Sequence, residues 1–170
     1  MVTRQRIEAN LGAHATHAEN IADFLAQKRI AVSGVSLSRE SPANLIYRKL
    51  KAAGYGVFPI NPKSPIFDGD VCYPSVGSVP GGVDGVVIVN RPEVTAAIVR
   101  ECAQFGIRRI WMHQSLSRAG TSVSPEAVDF CHQHGIRVIP GACPMMYCEP
   151  VDMGHRCIRW FLGITGGLPR

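Results

Sequence analysis

The amino-acid sequence predicts an α/β fold of the doubly wound kind, a mostly parallel sheet of five or six strands in three layers. Two patterns predict it. Residues 30–60 read as strand, small-residue turn, helix and second strand, the first half of a nucleotide-binding α/β unit. A device of helix, glycine and apolar strand then recurs, as Ala53-Gly54-Tyr55, Phe105-Gly106-Ile107 and His134-Gly135-Ile136. The strands so marked lie roughly 25–30 residues apart, the separation that right-handed crossovers between parallel strands need. By analogy with other doubly wound sheets the expected strand order is 3-2-1-4-5-6, with the first strand beside 85–89.

Each element has a local reason. Residues 1–15 show little pattern and read as a loose arm ahead of one domain over 16–170. Thr16 and Glu19 have capping-box spacing ahead of Ile21, Phe24 and Leu25, which predicts a helix over 17–27. The run 30–35 is short and apolar, as a strand requires, and Gly34, Ser36 and Ser38 break it. Ser41-Pro42 supplies a cap and a first helical residue. The helix that follows carries Leu45, Ile46 and Leu50 on its expected inner face and stops at Gly54. Further strands are expected near 56–60, 85–89, 108–112 and 136–140. Gly85 to Val89 lacks polar alternation, as suits a strand buried on both faces. Pro62 to Gly82 is rich in Gly and Pro and reads as a long loop with one short strand around Val71 to Tyr73. Pro92-Glu93 and Ser124-Pro125-Glu126 each open a helix with proline and an acid near the positive end of its dipole. Residues 141–150 read as loop, and 155–164 as an amphipathic closing helix with Ile158, Phe161 and Leu162 inward.

Composition narrows the function classes. With 170 residues, 46% of them hydrophobic, the chain can build one well-buried core. No apolar run approaches the ~18–20 residues that span a bilayer, and the N-terminus lacks the apolar stretch of a secretory signal, so the expectation is a cytoplasmic protein without a membrane partner. Six cysteines scattered along such a chain read as reduced thiols rather than disulfides. The net charge of +5 comes without a dense Lys/Arg block. That suits a phosphorylated anionic ligand better than a nucleic acid, which is not expected as a partner.

The turn after the first strand concentrates the chemistry. Small residues and a helix N-terminus present backbone N–H groups, a combination that suits phosphate. The sequence there is Gly34-Val35-Ser36-Leu37-Ser38-Arg39, not G-x-G-x-x-G, and the second strand ends in Asn61 where an NAD domain places an acid for the ribose. Both departures argue against NAD, and a Walker loop is absent.

Six short motifs then follow in a set order: Gly34-Val35-Ser36, Pro59-Ile60-Asn61-Pro62, Cys72-Tyr73-Pro74-Ser75, Asn90-Arg91-Pro92-Glu93, Trp111-Met112-His113-Gln114 and Gly141-Ala142-Cys143-Pro144. Over about 30–165 the chain resembles the stand-alone CoA-binding proteins, the family related to the N-terminal domain of succinyl-CoA synthetase α-subunits. The resemblance implies a Rossmann-like domain that binds coenzyme A or an acyl-CoA through its ADP portion. By position it places Gly34, Val35 and Ser36 at the phosphates, Asn61 and Pro62 beside the nucleotide, and Asn90, Arg91 and Pro92 across the crevice. Arg39 is a phosphate candidate because a guanidinium fork matches phosphate oxygens. The extended segment from Cys143 to Cys148 and the tail beyond it depart from the family pattern.

Cys143 follows the last strand on the edge where open α/β sheets bind ligands, so a thiol enzyme acting on bound CoA, with Cys148 as resolving thiol, is a second reading. A buried, inert Cys143 is the alternative. An NAD(H)-binding redox regulator is the third reading. Cys143, Cys148, His155 and Cys157 have the spacing C-x4-C-x6-H-x-C, which is not a zinc-knuckle pair, and no metal is expected. His113, His132 and His134 read as edge or surface residues. No catalytic residue is assigned. Trp160 and Phe161 on the closing helix make a homodimer a further expectation.

Overall fold

The computed structural model describes residues 15–115 and 120–165. The arm expected over 1–15 falls, but for its last residue, outside them. The chain runs α1 (His17–Leu25), β1 (Arg29–Ser33), α2 (Pro42–Ala52), β2 (Gly56–Ile60), β3 (Ile66–Phe67), β4 (Asp70–Val71), β5 (Gly85–Ile88), α3 (Pro92–Gln104), β6 (Arg109–Met112), α4 (Pro125–Gln133), β7 (Arg137–Pro140) and α5 (Met153–Thr165). Short 3-10 turns fill Val76–Ser78 and Pro144–Met146.

Five strands form one parallel sheet in the order β2-β1-β5-β6-β7. Helices cover both faces, as an all-parallel sheet with apolar strands requires. On one face Phe24 of α1, Ile46 and Leu50 of α2, and the segment around Cys143 to Cys148 pack over Val32, Val87 and Trp111. On the other, α3 and α4 pack Val99, Cys102, Ala127 and Cys131 against Val86, Ile88 and Ile110. β5 is buried along its whole length.

The strand order corrects the expected 3-2-1-4-5-6. Numbered by themselves, the sheet strands run 2-1-3-4-5, the other common doubly wound order. The segment after β2 supplies no full-length strand to extend the sheet outward. It instead folds into the two-residue hairpin of β3 and β4, turned by Asp68 and Gly69 at positive φ, and returns to the sheet only through the single bridge of Tyr73 to Ile60. The next full strand, 85–88, therefore crosses to the far side of β1. The expected pairing of β1 with that strand holds, from Ile30 beside Gly85 to Ser33 beside Ile88.

The local signals explain the helix ends. Thr16 and Glu19 form the reciprocal capping box, Ser41 accepts from the Asn44 N–H, and Gly54 takes a φ of 89° past the end of α2. The inner face of α2 is Ala43, Ile46, Tyr47 and Leu50; Leu45, expected inward, is exposed. The spacing of those four fixes the core-facing arc, and position 45 lies about 100° round the helix from 46. In α5, Ile158 packs against the core and the Arg159 guanidinium lies over Tyr147 while Nη1 donates to the Met146 carbonyl at 3.1 Å. Phe161, expected inward, is exposed, and the side chain of Leu162 lies outside the described residues. Among the described residues no helix is long and apolar enough to cross a membrane.

Candidate functional site

The carboxyl ends of β1, β2, β5 and β6 meet around one crevice, the edge where open α/β sheets take their ligands. Gly34 ends β1 with a φ of 104°, and its N–H donates to the Ile60 carbonyl at 3.2 Å. A Cβ added there would stand 2.7 Å from the Val89 carbonyl oxygen, so the backbones of the first and third sheet strands approach as only glycine permits. Val89 donates in turn to the Ser33 carbonyl at 2.9 Å. Asn61, at the end of β2, donates from Nδ2 to the Val35 carbonyl at 2.7 Å and accepts from the Lys63 N–H at 2.8 Å. These bonds draw Gly34, Val35, Asn61 and Asn90 together.

The turn itself is held from below by Asn44, a residue the sequence reading did not single out. Its side chain, 2% exposed, accepts from the Ser36 N–H at 2.9 Å and from the Ser41 hydroxyl at 3.0 Å. Its Nδ2 donates to the Ser36 and Arg39 carbonyls at 2.8 and 3.2 Å. One buried amide in the first turn of α2 thus fixes both flanks of the turn. Leu37, Ser38 and Arg39 remain exposed at its crest, and Ser36 and Ser38 share a hydroxyl contact at 3.1 Å. The Arg39 and Pro62 side chains are exposed, with no hydrogen bond joining either to the other candidates among the described residues.

Across the crevice Arg91 caps α3 through its backbone and Pro92 takes the first helical position. A cleft of about 140 Å³ opens here, lined by Pro42, Val89, Asn90, Arg91, His113, Ser115, Gly120, Thr121 and Ser122. Among the described residues the lining contains no carboxylate. Asn90 Oδ1 is buried without a hydrogen-bond partner among the described residues, a condition that costs about 1–3 kcal/mol unless a donor arrives. His113 is 3% exposed, and burial pushes its imidazole down to about 4, so the ring is neutral at pH 7. His113, expected at an edge or on the surface, is instead buried in the cleft lining, one residue past the end of β6.

The thiols lie elsewhere. Cys143 and Cys148 are both buried, packed in the core that α2 and Trp111 share. Burial pushes the Cys143 thiol up to about 11 and raises that of Cys148, the opposite of what a nucleophile needs. The Trp111 indole N–H donates to the Gly141 and Ala142 carbonyls at 3.1 and 3.3 Å, fixing the loop that carries Cys143. His155 pairs with Asp152 at 2.7 Å and Cys157 is exposed on α5. Among the described residues no group of three or more His, Cys, Asp or Glu side chains gathers as metal ligands.

Comparison with known proteins gives this edge a context. Residues 28–149 match the model of a CoA binding domain. A relative of similar length is an uncharacterized protein, YneT, of Bacillus subtilis, 27% identical over 116 residues that cover 68% of this chain and 82% of that protein. ADP-forming acetate–CoA ligase II of Archaeoglobus fulgidus is 27% identical over 125 residues, 70% of this chain but 19% of the ligase. The chain thus spans about a fifth of that relative's length. Among solved structures, a hypothetical protein from Pyrococcus horikoshii superposes with a TM-score of 0.71 at 28% identity, covering 82% of this chain and 94% of the other.

Proposed function

The chain belongs to the CoA binding domain family, and from that membership we propose that it binds coenzyme A or an acyl-CoA through the ADP moiety at the edge formed by β1, β2 and β5. The reading is of a binding protein, a sensor or a carrier, without catalytic machinery of its own. The observation that carries it is the turn after β1. Gly34 lets the chain pass against Val89, and Asn44 holds the following residues in place at the N-terminus of α2. A turn already tied down loses little further entropy on receiving a phosphate, and the helix end favours the negative charge.

The end of β2 supports CoA over NAD. The Asn61 side chain is committed to Val35 and Lys63, so no carboxylate stands ready for a free ribose hydroxyl pair. Lys63 is exposed at the same strand end. A cation there suits a ribose that carries a phosphate, as in CoA, whereas an acid would repel it. The burial of Cys143 and its raised pKa support a structural thiol rather than an acyl-transfer nucleophile.

Calorimetric titration with CoA, dephospho-CoA and NAD separates the readings. We expect micromolar binding of CoA, roughly tenfold weaker binding of dephospho-CoA, as loss of one charge-assisted contact implies, and no heat from NAD. Lys63→Ala should abolish the difference between the first two ligands. Binding of NAD in preference to CoA would overturn the proposal.

A further inference from the structure

Beyond the family match, which ends at residue 149, lies α5. Its inner side is spoken for by Ile158 and Arg159. Its outer side carries Met153, Cys157, Trp160 and Ile164, a spacing of four, three and four residues, and the three large side chains are 79%, 69% and 63% exposed. At 100° per residue these four fall within about 60° of one another, opposite the face that packs on the domain. A groove along them is lined by Met153, Arg156, Cys157 and Trp160.

We propose that this stripe pairs with the same stripe of a second copy, the two α5 helices lying antiparallel about a two-fold axis. A 4-3-4 spacing is the seam that one helix presents to another helix, so the fitting occupant is a helix with a matching seam, and a second copy carries one. With the axis passing between Cys157 and Trp160, Met153 faces the partner subunit's Ile164 and Cys157 faces the partner subunit's Trp160. Arg156, the charged group beside the seam, comes against the partner's aromatic end rather than against its own counterpart, a pairing that attracts a guanidinium. Antiparallel packing also sets the two helix dipoles head to tail. The stripe offers on the order of 400 Å² of apolar surface, comparable to the largest patch on an ordinary monomer. Doubled by symmetry and widened by its flanks it approaches about 1,000 Å², the lower edge of specific interfaces. The dimer is therefore weak and concentration-dependent, with a dissociation constant in the micromolar range.

Sedimentation velocity of the full chain from about 1 to 200 μM tests it. The 18.4 kDa monomer should give way to a species of twice that mass across this range. Trp160→Glu and, independently, Ile164→Glu should hold the chain monomeric with an unchanged far-ultraviolet dichroism spectrum and unchanged CoA titration. Cys157 is the exposed cysteine among six and the other five are buried, so a short bis-maleimide should join two wild-type chains through Cys157 alone and fail in Trp160→Glu. A monomer at every concentration, or a dimer that survives both substitutions, would overturn the proposal.

Discussion

At Gly34 two constraints coincide, a φ of 104° and a neighbouring carbonyl 2.7 Å from where a Cβ would sit. Because that neighbour is backbone within the sheet, it has no rotamer by which to yield. Gly34→Ala should therefore cost at least ~2 kcal/mol and lower the melting temperature by roughly 4–8 °C, and it should abolish CoA binding; an unaltered melting curve would show that the strand ends relax freely. Asn44 invites the complementary experiment, because an acid of the same shape changes its electrostatics and leaves its volume alone. Asn44→Asp keeps the acceptor for the Ser36 N–H and places an acid in the first turn of α2, where the dipole favours it. It removes the donors to the Ser36 and Arg39 carbonyls and sets a negative charge under the phosphate turn. Stability should fall by roughly 2 kcal/mol or more, because a carboxylate oxygen then faces both carbonyls at a buried position, while CoA affinity at a temperature where the variant is still folded drops by at least tenfold; equal affinity would sever Asn44 from the site. Gly34 and Asn61 were legible in the sequence because small or amide residues after apolar strands mark turns. Asn44 was not, since sequence gives its place in the helix but not the loop carbonyls within its reach.

The strands and the helices between them were readable because an apolar run closed by glycine, and a proline preceded by serine, report backbone preferences that tertiary packing did not override. The strand order was not, because it depends on whether the segment after β2 extends the sheet, and Gly and Pro content alone does not decide that. What decides it is the docking of the β3–β4 hairpin on α2. Phe67 meets Tyr47 edge to face with centroids 5.1 Å apart, Arg48 holds Asp68 at 2.6 Å, and Tyr47 and Lys51 both donate to Asp70. The Arg48 hydrogen bond holds the Asp68 carboxyl below its ordinary 3.8, and that of Lys51 does the same for Asp70. A carboxylate depressed in the folded state contributes stability that is present above 3.8 and lost as the pH falls through its lower folded value. Hydrogen exchange over 66–71, corrected for intrinsic rates, should accordingly speed up on going from pH 5 to pH 3 while the central strands stay protected. Lys51→Met should raise exchange at pH 5 and flatten the pH response; a hairpin equally protected at both pH values in both proteins would leave the aromatic contact as its only anchor.

For the whole molecule, the buried edge residue His113 couples the site to global stability. Its imidazole sits at about 4 in the folded protein because burial disfavours the cation, against 6.5 in an unfolded chain. Below pH 6.5 the unfolded state takes up a proton that the folded state refuses, so stability falls as the pH drops and levels off only near 4. The full window is worth about 3 kcal/mol, a large share of the margin by which a domain of this size holds together. His17, also lowered by burial, pulls in the same direction, so the slope belongs to more than one group. Urea unfolding at half-unit steps from pH 7.5 to 4.5 should show stability declining with acid, and His113→Gln should reduce that slope by close to one proton whatever its offset at pH 7.5. Parallel slopes for the wild type and His113→Gln would mean that the folded protein lets the imidazole charge, and that the cleft floor is open to water.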